Sequence, residues 1–267
     1  MQTCIEKLFA SEKIEYFSAL RYADCKVIRP DIADRCKITP KSVVVFLLPY
    51  YSGETVNISR YAASMDYHIA VREITGRIIE GLVSEFPENK FFGFGDHSPI
   101  DERHAALISG LGVLGGNRLL INEKYGSYVF IAEIISDLDP ESFGAHEPMP
   151  ILHCEGCGAC TRACPTKSLT EECECLSAIT QRKGELAERE VELMRSQGTV
   201  WGCDACQSAC PHNAAPCFTP IEFFHKERIG ELTAEILYSM SDEEFARRAY
   251  SWRGRKTVKR NLDVFKY

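Results

Sequence analysis

Two cysteine runs decide how this chain folds. The first reads Cys154-Glu-Gly-Cys157-Gly-Ala-Cys160-Thr-Arg-Ala-Cys164-Pro165, and the second reads Cys203-Asp-Ala-Cys206-Gln-Ser-Ala-Cys210-Pro211. Ten of the thirteen cysteines of the chain lie between Cys154 and Cys217. Three cysteines separated by two residues each, with a fourth before a proline, are typical of loops that bind [4Fe–4S] clusters. The sequence therefore predicts two [4Fe–4S] clusters in a module like that of the bacterial ferredoxins.

The spacing also indicates how the ligands divide, because the fourth cysteine of such a run usually binds the other cluster. For cluster one, we expect the ligands Cys154, Cys157, Cys160 and Cys210. For cluster two, we expect Cys164, Cys203 and Cys206, with a fourth ligand that the spacing leaves open among Cys173, Cys175 and Cys217. Structural zinc sites or disulfides are the alternatives. Zinc sites do not require the two Cys-Pro steps or the crossed spacing.

The bulk composition is that of a globular chain with an ordinary core. The chain has 267 residues, of which 45% are hydrophobic and 26% charged, enough for one large domain or two modest ones. No stretch has the eighteen or so apolar residues of a membrane span, and residues 1–7 carry no apolar signal core. We therefore expect a cytoplasmic protein without a membrane partner, in which thiols stay reduced and clustered cysteines bind metal.

The charge is unevenly distributed along the chain. The net charge is −7, but residues 247–260 are rich in arginine and lysine and almost free of acids. A basic end on an acidic protein suggests a local phosphate-binding patch. The simpler interpretation is a solvated helical tail.

The region before the cysteines alternates predicted helices and strands. Helices are predicted over residues 3–22, from about 67 to 86 and from about 101 to 111, and strands over residues 42–49, 90–96, 119–122 and 128–136, the last two as a pair. The apolar run from Ser42 to Pro49 is typical of an interior strand. We expect an α/β domain over residues 1–150, a double-cluster module over 151–220 and a helical, basic segment over 221–267. By itself, His68 is typical of a half-buried histidine at a helix start.

Several short motifs occur in a recognisable order along the chain. They are Tyr61-Ala, Asp66-Tyr-His68, Gly95-Asp-His-Ser-Pro99-Ile-Asp-Glu-Arg103, Gly110-Leu-Gly112, Gly115-Gly-Asn-Arg-Leu-Leu-Ile121, Gly126-Ser-Tyr-Val-Phe-Ile-Ala-Glu-Ile134, the two cysteine runs and Arg260-Asn261. This order resembles the epoxyqueuosine reductases, which are cobalamin-dependent iron–sulfur enzymes. The resemblance extends over nearly the whole chain from about residue 40.

The resemblance implies an α+β protein. Its N-terminal cobalamin-binding domain would resemble the flavin-reductase type of α/β fold and precede a ferredoxin-like double [4Fe–4S] module and a helical C-terminus. Electrons would pass from an external donor such as a flavodoxin or ferredoxin through the clusters to cobalamin. The enzyme would then reduce the epoxide of epoxyqueuosine in tRNA to give queuosine.

The resemblance also implies roles for particular residues. Asp96 matches the family's acid, and a carboxylic acid is suited to protonating the alkoxide that epoxide opening leaves. The implied cofactor-binding residues are Tyr61, His68, Ser98 and Asn117. Cys175, which stands before Leu-Ser, matches the family's remaining ligand of cluster two.

The sequence differs from the family pattern in three places. It has His97-Ser98 where the family has Ser-Gly, and Gly116 where the family has lysine. It also stops soon after Asn261, so it is expected to be a short form without the C-terminal helical-repeat extension. Two alternatives are a paralogous reductase with a non-tRNA substrate and a corrinoid or iron–sulfur electron-transfer protein. Reductive dehalogenation is a third, although the chain has no twin-arginine export signal.

Overall fold

The computed structural model describes residues 4–265, and they divide into two compact units. The first unit comprises the described residues up to Pro49 together with His68–Glu155. The second comprises Tyr50–Tyr67 and the chain from Gly156 onward. Residues 1–3 and 266–267, at the outer edges of the predicted segments 1–150 and 221–267, lie outside the described residues.

The first unit is built on a four-stranded antiparallel sheet. In chain order the strands of this unit are β1 (Phe17–Arg21), β2 (Ser42–Pro49), β3 (Phe91–Phe94), β4 (Val113–Leu114), β5 (Leu120–Ile121) and β6 (Val129–Ser136). The sheet has the order β1-β2-β6-β3, while β4 and β5 form a separate two-stranded pair. Every residue of β2 is buried, as its apolar run predicts for an interior strand.

Helices cover both faces of this sheet. They are α1 (Cys4–Ser11), α2 (Pro30–Arg35), α3 (Tyr67–Glu85) and α4 (Glu102–Ile108). The apolar side of α4 packs on one face, against Val43, Val45 and Ile135. On the opposite face α3 approaches so closely that a Cβ on Gly93 would come within 2.5 Å of the Thr75 side chain. The antiparallel sheet with helices on each face gives this unit an α+β fold.

The second unit is mostly helical. Its helices are α5 (Ala159–Ala163), α6 (Leu176–Gln181), α7 (Glu188–Gln197), α8 (Ala205–Ser208), α9 (Ala234–Ser239), α10 (Asp242–Ala246) and α11 (Arg255–Asp263). The short helices α5 and α8 follow the two cysteine loops and contact each other. A core around Trp201, Tyr250 and Leu237 joins the C-terminal helices to residues 58–62.

Two sequence-based predictions of secondary structure are wrong. The helix expected over residues 3–22 ends at Ser11, and Phe17–Arg21 is the strand β1, because these residues complete the edge of the sheet beside β2. The strands near 119–122 and 128–136 do not pair along their lengths. Instead β5 pairs with β4, and β6 lies between β2 and β3.

None of the helices between residues 4 and 265 combines the length and the apolar character needed to cross a bilayer.

Candidate active site and cluster-binding cysteines

Asp96 lies in a tight loop directly after β3. Its backbone has φ of 66°, a left-handed conformation that aspartate tolerates better than most residues. Three contacts fix the loop. The Asp96 N–H donates to Glu102 Oε2 at 2.7 Å, while Arg29 donates to the Asp96 carbonyl at 3.2 Å and to Nδ1 of His97 at 2.6 Å. The loop therefore holds the Asp96 carboxylate outward, with 69% of the side chain exposed.

Two of the predicted cofactor-binding residues lie close to Asp96. His68, in the first turn of α3, places Nε2 3.8 Å from Asp96 Oδ2. Ser98 is buried two residues after Asp96, and its hydroxyl accepts the N–H of Ile100 at 3.2 Å. The structure thus brings together Asp96, His68 and Ser98 at the end of β3.

Two further carboxyl groups lie behind the Asp96 loop. Burial raises the pKa of Glu102 to about 7, and the negative charges of Asp96 and Asp101 add to this shift. The hydrogen bond from the Asp96 N–H and the charge of Arg29 oppose it. Burial raises the pKa of Glu133 to about 8, and the charge of Glu102 adds to that shift. A sequence-only assignment of roles missed both residues, although the motifs around Asp96 and in β6 contain them.

Asn117, the third predicted cofactor-binding residue of the first unit, lies in the glycine-rich loop before β5. Its Oδ1 accepts the N–H of Leu119 at 3.2 Å, whereas its buried Nδ2 has no acceptor among the described residues. A Cβ on Gly115 would come within 2.4 Å of Oδ1, so only glycine fits there. Arg103 of α4 donates to the Arg118 carbonyl at 2.6 Å and so ties this loop to the helix that also holds the Asp96 loop.

Cys154 belongs to the first unit. Its N–H donates to the Leu114 carbonyl at 3.0 Å, and its Sγ accepts the N–H of Gly116 at 3.3 Å. The N–H donor at residue 116 needs no side chain, which is compatible with glycine at the position where the family has lysine. Cys157, Cys160 and Cys210, the other predicted ligands of cluster one, belong to the second unit.

The four predicted ligands of cluster two belong to the second unit and influence each other electrostatically. Burial raises the pKa of Cys203 to about 11 and that of Cys206 to about 12, and negative charge on Cys175 and Cys164 adds to both shifts. Burial would also raise the pKa of Cys164, but hydrogen bonds from Ser168 and Thr166 outweigh it and lower that pKa.

Cys173 and Cys217 are the other two candidates for the fourth ligand of cluster two. The Cys173 thiol donates to the Thr166 carbonyl at 2.8 Å, and Cys217 is exposed. Negative charge on Cys175, the third candidate, raises the pKa of both Cys203 and Cys206. Among the described residues, no three cysteine, histidine or acidic side chains are arranged to hold a single metal ion.

Tyr61, the remaining predicted cofactor-binding residue, lies in the second unit. Its hydroxyl accepts a hydrogen bond from Trp201 Nε1 at 2.9 Å, and burial raises its pKa. Nearby, Asp204 anchors the second cysteine loop. Its carboxylate accepts hydrogen bonds from the Ser59 hydroxyl and from the N–H and guanidinium of Arg60.

Much of the predicted basic patch is engaged inside the second unit. Arg248 is buried and donates to the carbonyls of Glu227 and Ala63. Arg255 donates to carbonyls at the end of α9, and Arg260 donates to those of Arg182 and Gly184. Arg255 and Arg260 thereby satisfy carbonyls at the ends of α9 and α6, while Arg248 bonds to carbonyls of two connecting segments.

A smaller group of cations lines an open cavity in the same unit. The cavity has a volume of ≈ 810 Å³ and is lined by Lys183, Arg253, Arg255, Lys256, Arg260 and neighbouring residues. Lys256 is exposed, and Arg253 stacks over the exposed ring of Trp252 at 3.7 Å. Arg253 and Lys256 occur in the same basic run as the structural arginines, so the sequence could not separate the two kinds there, whereas Lys183 lies outside that run.

Comparison with known proteins agrees with this geometry. Residues 153–213 match the family of 4Fe-4S double cluster binding domains. The epoxyqueuosine reductase of Gloeobacter violaceus is 32% identical over 78% of this chain and 69% of its own length. That of Leadbetterella byssophila is 35% identical over 73% of this chain and 68% of its own.

The fold is also similar to that of solved epoxyqueuosine reductase structures. A crystal structure of epoxyqueuosine reductase with an epoxyqueuosine-modified tRNA-Tyr stem loop superposes with a TM-score of 0.77. It is 23% identical, and the match covers 97% of this chain and 80% of the other. On the sequence relationships and the shared α+β fold, this chain belongs to the epoxyqueuosine reductase family of oxidoreductases.

Proposed function

We propose that this chain is a cobalamin-dependent, two-cluster reductase that converts epoxyqueuosine in tRNA to queuosine. The observation that carries the proposal is the Asp96 loop in a member of this family: an acid that Glu102 and Arg29 hold at the end of β3, with His68 3.8 Å from its carboxylate. Such an acid can protonate the oxygen of an opening epoxide.

The cysteines of both runs fit a pair of [4Fe–4S] clusters. The proximity of Cys164, Cys175, Cys203 and Cys206 supports the assignment of cluster two, because all four thiols must converge on one cluster. Cluster one would take Cys154, Cys157, Cys160 and Cys210. The Gly116 N–H on Cys154 Sγ would help to set its potential, since hydrogen bonds to cluster sulfurs tune iron–sulfur centres.

The first unit offers polar groups that fit cobalamin. Asn117 has a buried Nδ2 without an acceptor among the described residues, and a buried donor of this kind is costly unless a ligand satisfies it. Asn117, His68 and Ser98 are the residues of this unit that would hold the cofactor, and a role of Tyr61 stays a prediction from the family resemblance. Bound cobalamin would supply reducing electrons at this site, and Asp96 would donate a proton to the epoxide oxygen.

The basic cavity of the second unit supports contact with tRNA phosphates. Lys183, Arg253 and Lys256 line it, and within residues 4–265 none of them donates to a backbone carbonyl as Arg248 and Arg260 do. The exposed Trp252 ring beside Arg253 offers a surface on which a base can stack.

The proposal also includes an external electron donor, such as a flavodoxin or ferredoxin. It further includes a cytoplasmic location, where the cysteines stay reduced.

Anaerobic reconstitution with iron, sulfide and cobalamin tests this function. Two clusters of four irons give an expected content of about eight irons per chain. We expect retained cobalamin by EPR and conversion of epoxyqueuosine-containing tRNA when an artificial reductant is present. About eight irons without cobalamin or turnover would contradict the proposal and favour an electron-transfer protein.

A Cys175→Ser variant should lose about half of the iron, and Cys217→Ser should keep all of it.

A further inference from the structure

Glu133 is a carboxylic acid in the apolar interior of the first unit. It lies on β6 between Ile131 and Ile135 of the same face, opposite Val45 of β2 and Phe94 of β3, and it is 0% exposed. Neither of its carboxylate oxygens has a hydrogen-bond partner with normal geometry among the described residues. An isolated buried carboxylate of this kind is so costly that the group keeps its proton instead.

Glu102 connects this buried acid to the catalytic loop. It is the first residue of α4, the helix that packs on the sheet face to which Glu133 belongs. Its charge raises the pKa of Glu133, so the two carboxyl groups interact. Its Oε2 accepts the Asp96 N–H at 2.7 Å. Glu102 therefore acts on Glu133 electrostatically and contacts the backbone of the Asp96 loop.

Other ionisable groups surround these carboxyl groups. His68 places Nε2 3.8 Å from the Asp96 carboxylate, and His97 contacts Arg29. Asp101 adds negative charge beside Glu102, and Arg29 opposes it from the segment before α2. Cys25, whose burial raises its pKa to about 12, is the remaining ionisable neighbour of Glu133. The nearby Ser98 hydroxyl is the polar group that opposes the shift of Glu133. No cation therefore neutralises Glu133 directly within the described residues, and a proton must do so.

The proposed reaction needs more protons than Asp96 holds. Reducing an epoxide to an alkene breaks both C–O bonds and takes up two electrons and two protons, and the oxygen leaves as water. The electrons come from an external reductant through the iron–sulfur clusters. One carboxylic acid delivers one proton, so Asp96 must be protonated again within each turnover.

We propose that Glu133 and Glu102 hold a proton behind Asp96 and return it to Asp96 during turnover, so that one exposed acid delivers both protons. This inference rests on the proposed function. The proton moves from Glu133 to Glu102, from Glu102 to Asp96 and from Asp96 to the substrate oxygen, and solvent restores it between turnovers. Glu102 and Glu133 act through Asp96 and are positioning and proton-supplying residues for it.

Infrared spectroscopy of the chain alone tests where the proton resides. At pH 7, we expect a carboxylic acid C=O band that Glu133→Gln removes. Glu88→Gln, which neutralises an exposed acid on the same unit, should leave the band unchanged. The glutamine variant is neutral and of the same size as protonated Glu133, so it should fold normally. A wild-type spectrum without a band that depends on Glu133 would overturn the proposal.

Kinetics of the reconstituted protein test the relay itself. Glu133→Gln and Glu102→Gln should each lower kcat at least about tenfold at pH 8 with little change in KM, since general acid catalysis is typically a 10²–10⁴-fold effect. A small weak acid added to the buffer should restore the rate, which it could not do for a merely structural defect. Unchanged kinetics in Glu133→Gln alongside an active wild-type chain would overturn the relay alone. Absence of turnover by the wild-type chain would overturn the proposed function and the relay with it.

Discussion

Glu133 shows how a single residue links the core of this protein to its chemistry. Its carboxyl group lies in a strand that is apolar apart from Glu133 and the terminal Ser136, between Ile131 and Ile135. The assignment of Asp96 as the acid came from the family resemblance of the motif around it, and it stays a prediction. The sequence could not predict the burial of Glu133 and Glu102, because their environment depends on which face of the sheet α4 covers.

Burial of Glu133 also makes the stability of the chain depend on pH. The pKa of this group is about 8 in the folded chain, against an ordinary value of 4.5. Between these values the folded state binds more protons than the unfolded state, so the free energy of unfolding falls as pH rises from about 4.5 to about 8. The fall attributable to Glu133 is on the order of 4 kcal/mol.

We expect Glu133→Gln to flatten this dependence and to stabilise the chain relative to the wild type at pH 8. Urea unfolding of both proteins between pH 5 and pH 8 measures the difference, in which contributions of other groups largely cancel. Glu88→Gln, the exposed control, should follow the wild type. Parallel curves for Glu133→Gln and the wild type would show that Glu133 is ionised in the fold.

At the scale of elements, the second cysteine loop depends on the segment 50–67. Strand-like bridges join Ile58 to Trp201 and Met65 to Arg248, and Asp204 bonds to Ser59 and Arg60. Sequence patterns predicted the interior strand β2 and the long helix α3, because their apolar spacing is local. They missed the grouping of residues 50–67 with the second unit, because isolated bridges and one carboxylate leave no periodic signal.

The ion pair between Asp204 and Arg60 gives a prediction at this scale. The two side chains are only 11% and 14% exposed. Asp204→Ala should therefore cost about 3 kcal/mol of stability, because it leaves the Arg60 guanidinium without its inner partner. Thermal unfolding of the reconstituted protein measures the loss. Asp242→Ala, which removes an ion pair whose acid is 97% exposed, should change stability little, and equal effects of the two variants would refute the anchoring role.

For the whole molecule, the net charge of −7 does not show that the cations have different roles: some bind backbone carbonyls and others line the cavity. Composition predicted a basic end, but the structure commits Arg248, Arg255 and Arg260 to backbone carbonyls. The cysteine spacing predicted the cluster module directly, because its ligands are local in sequence. Which cations remain available for a ligand depends on side-chain contacts across the second unit, and no linear pattern encodes these.

Binding to tRNA should accordingly depend on the cavity lysines. Replacing Lys183 and Lys256 by glutamine should lower the slope of log K against log salt by about 1.4 to 1.8, which corresponds to two phosphate contacts. Filter binding over a range of salt concentrations measures the slope. Lys226→Gln, an exposed lysine elsewhere on the same unit, is the control. A slope that stays at the wild-type value in the double variant would exclude this cavity from the tRNA interface.

The measurement that tests the account most directly is turnover of epoxyqueuosine-containing tRNA by Asp96→Asn. We expect this variant to keep about eight irons and its cobalamin and to lose at least about a hundredfold in rate, because asparagine fills the same space but cannot donate the proton. Asp31→Asn, which changes an exposed aspartate on α2, should remain fully active. Wild-type turnover by Asp96→Asn would contradict the assignment of Asp96 as the proton donor and the relay proposed behind it.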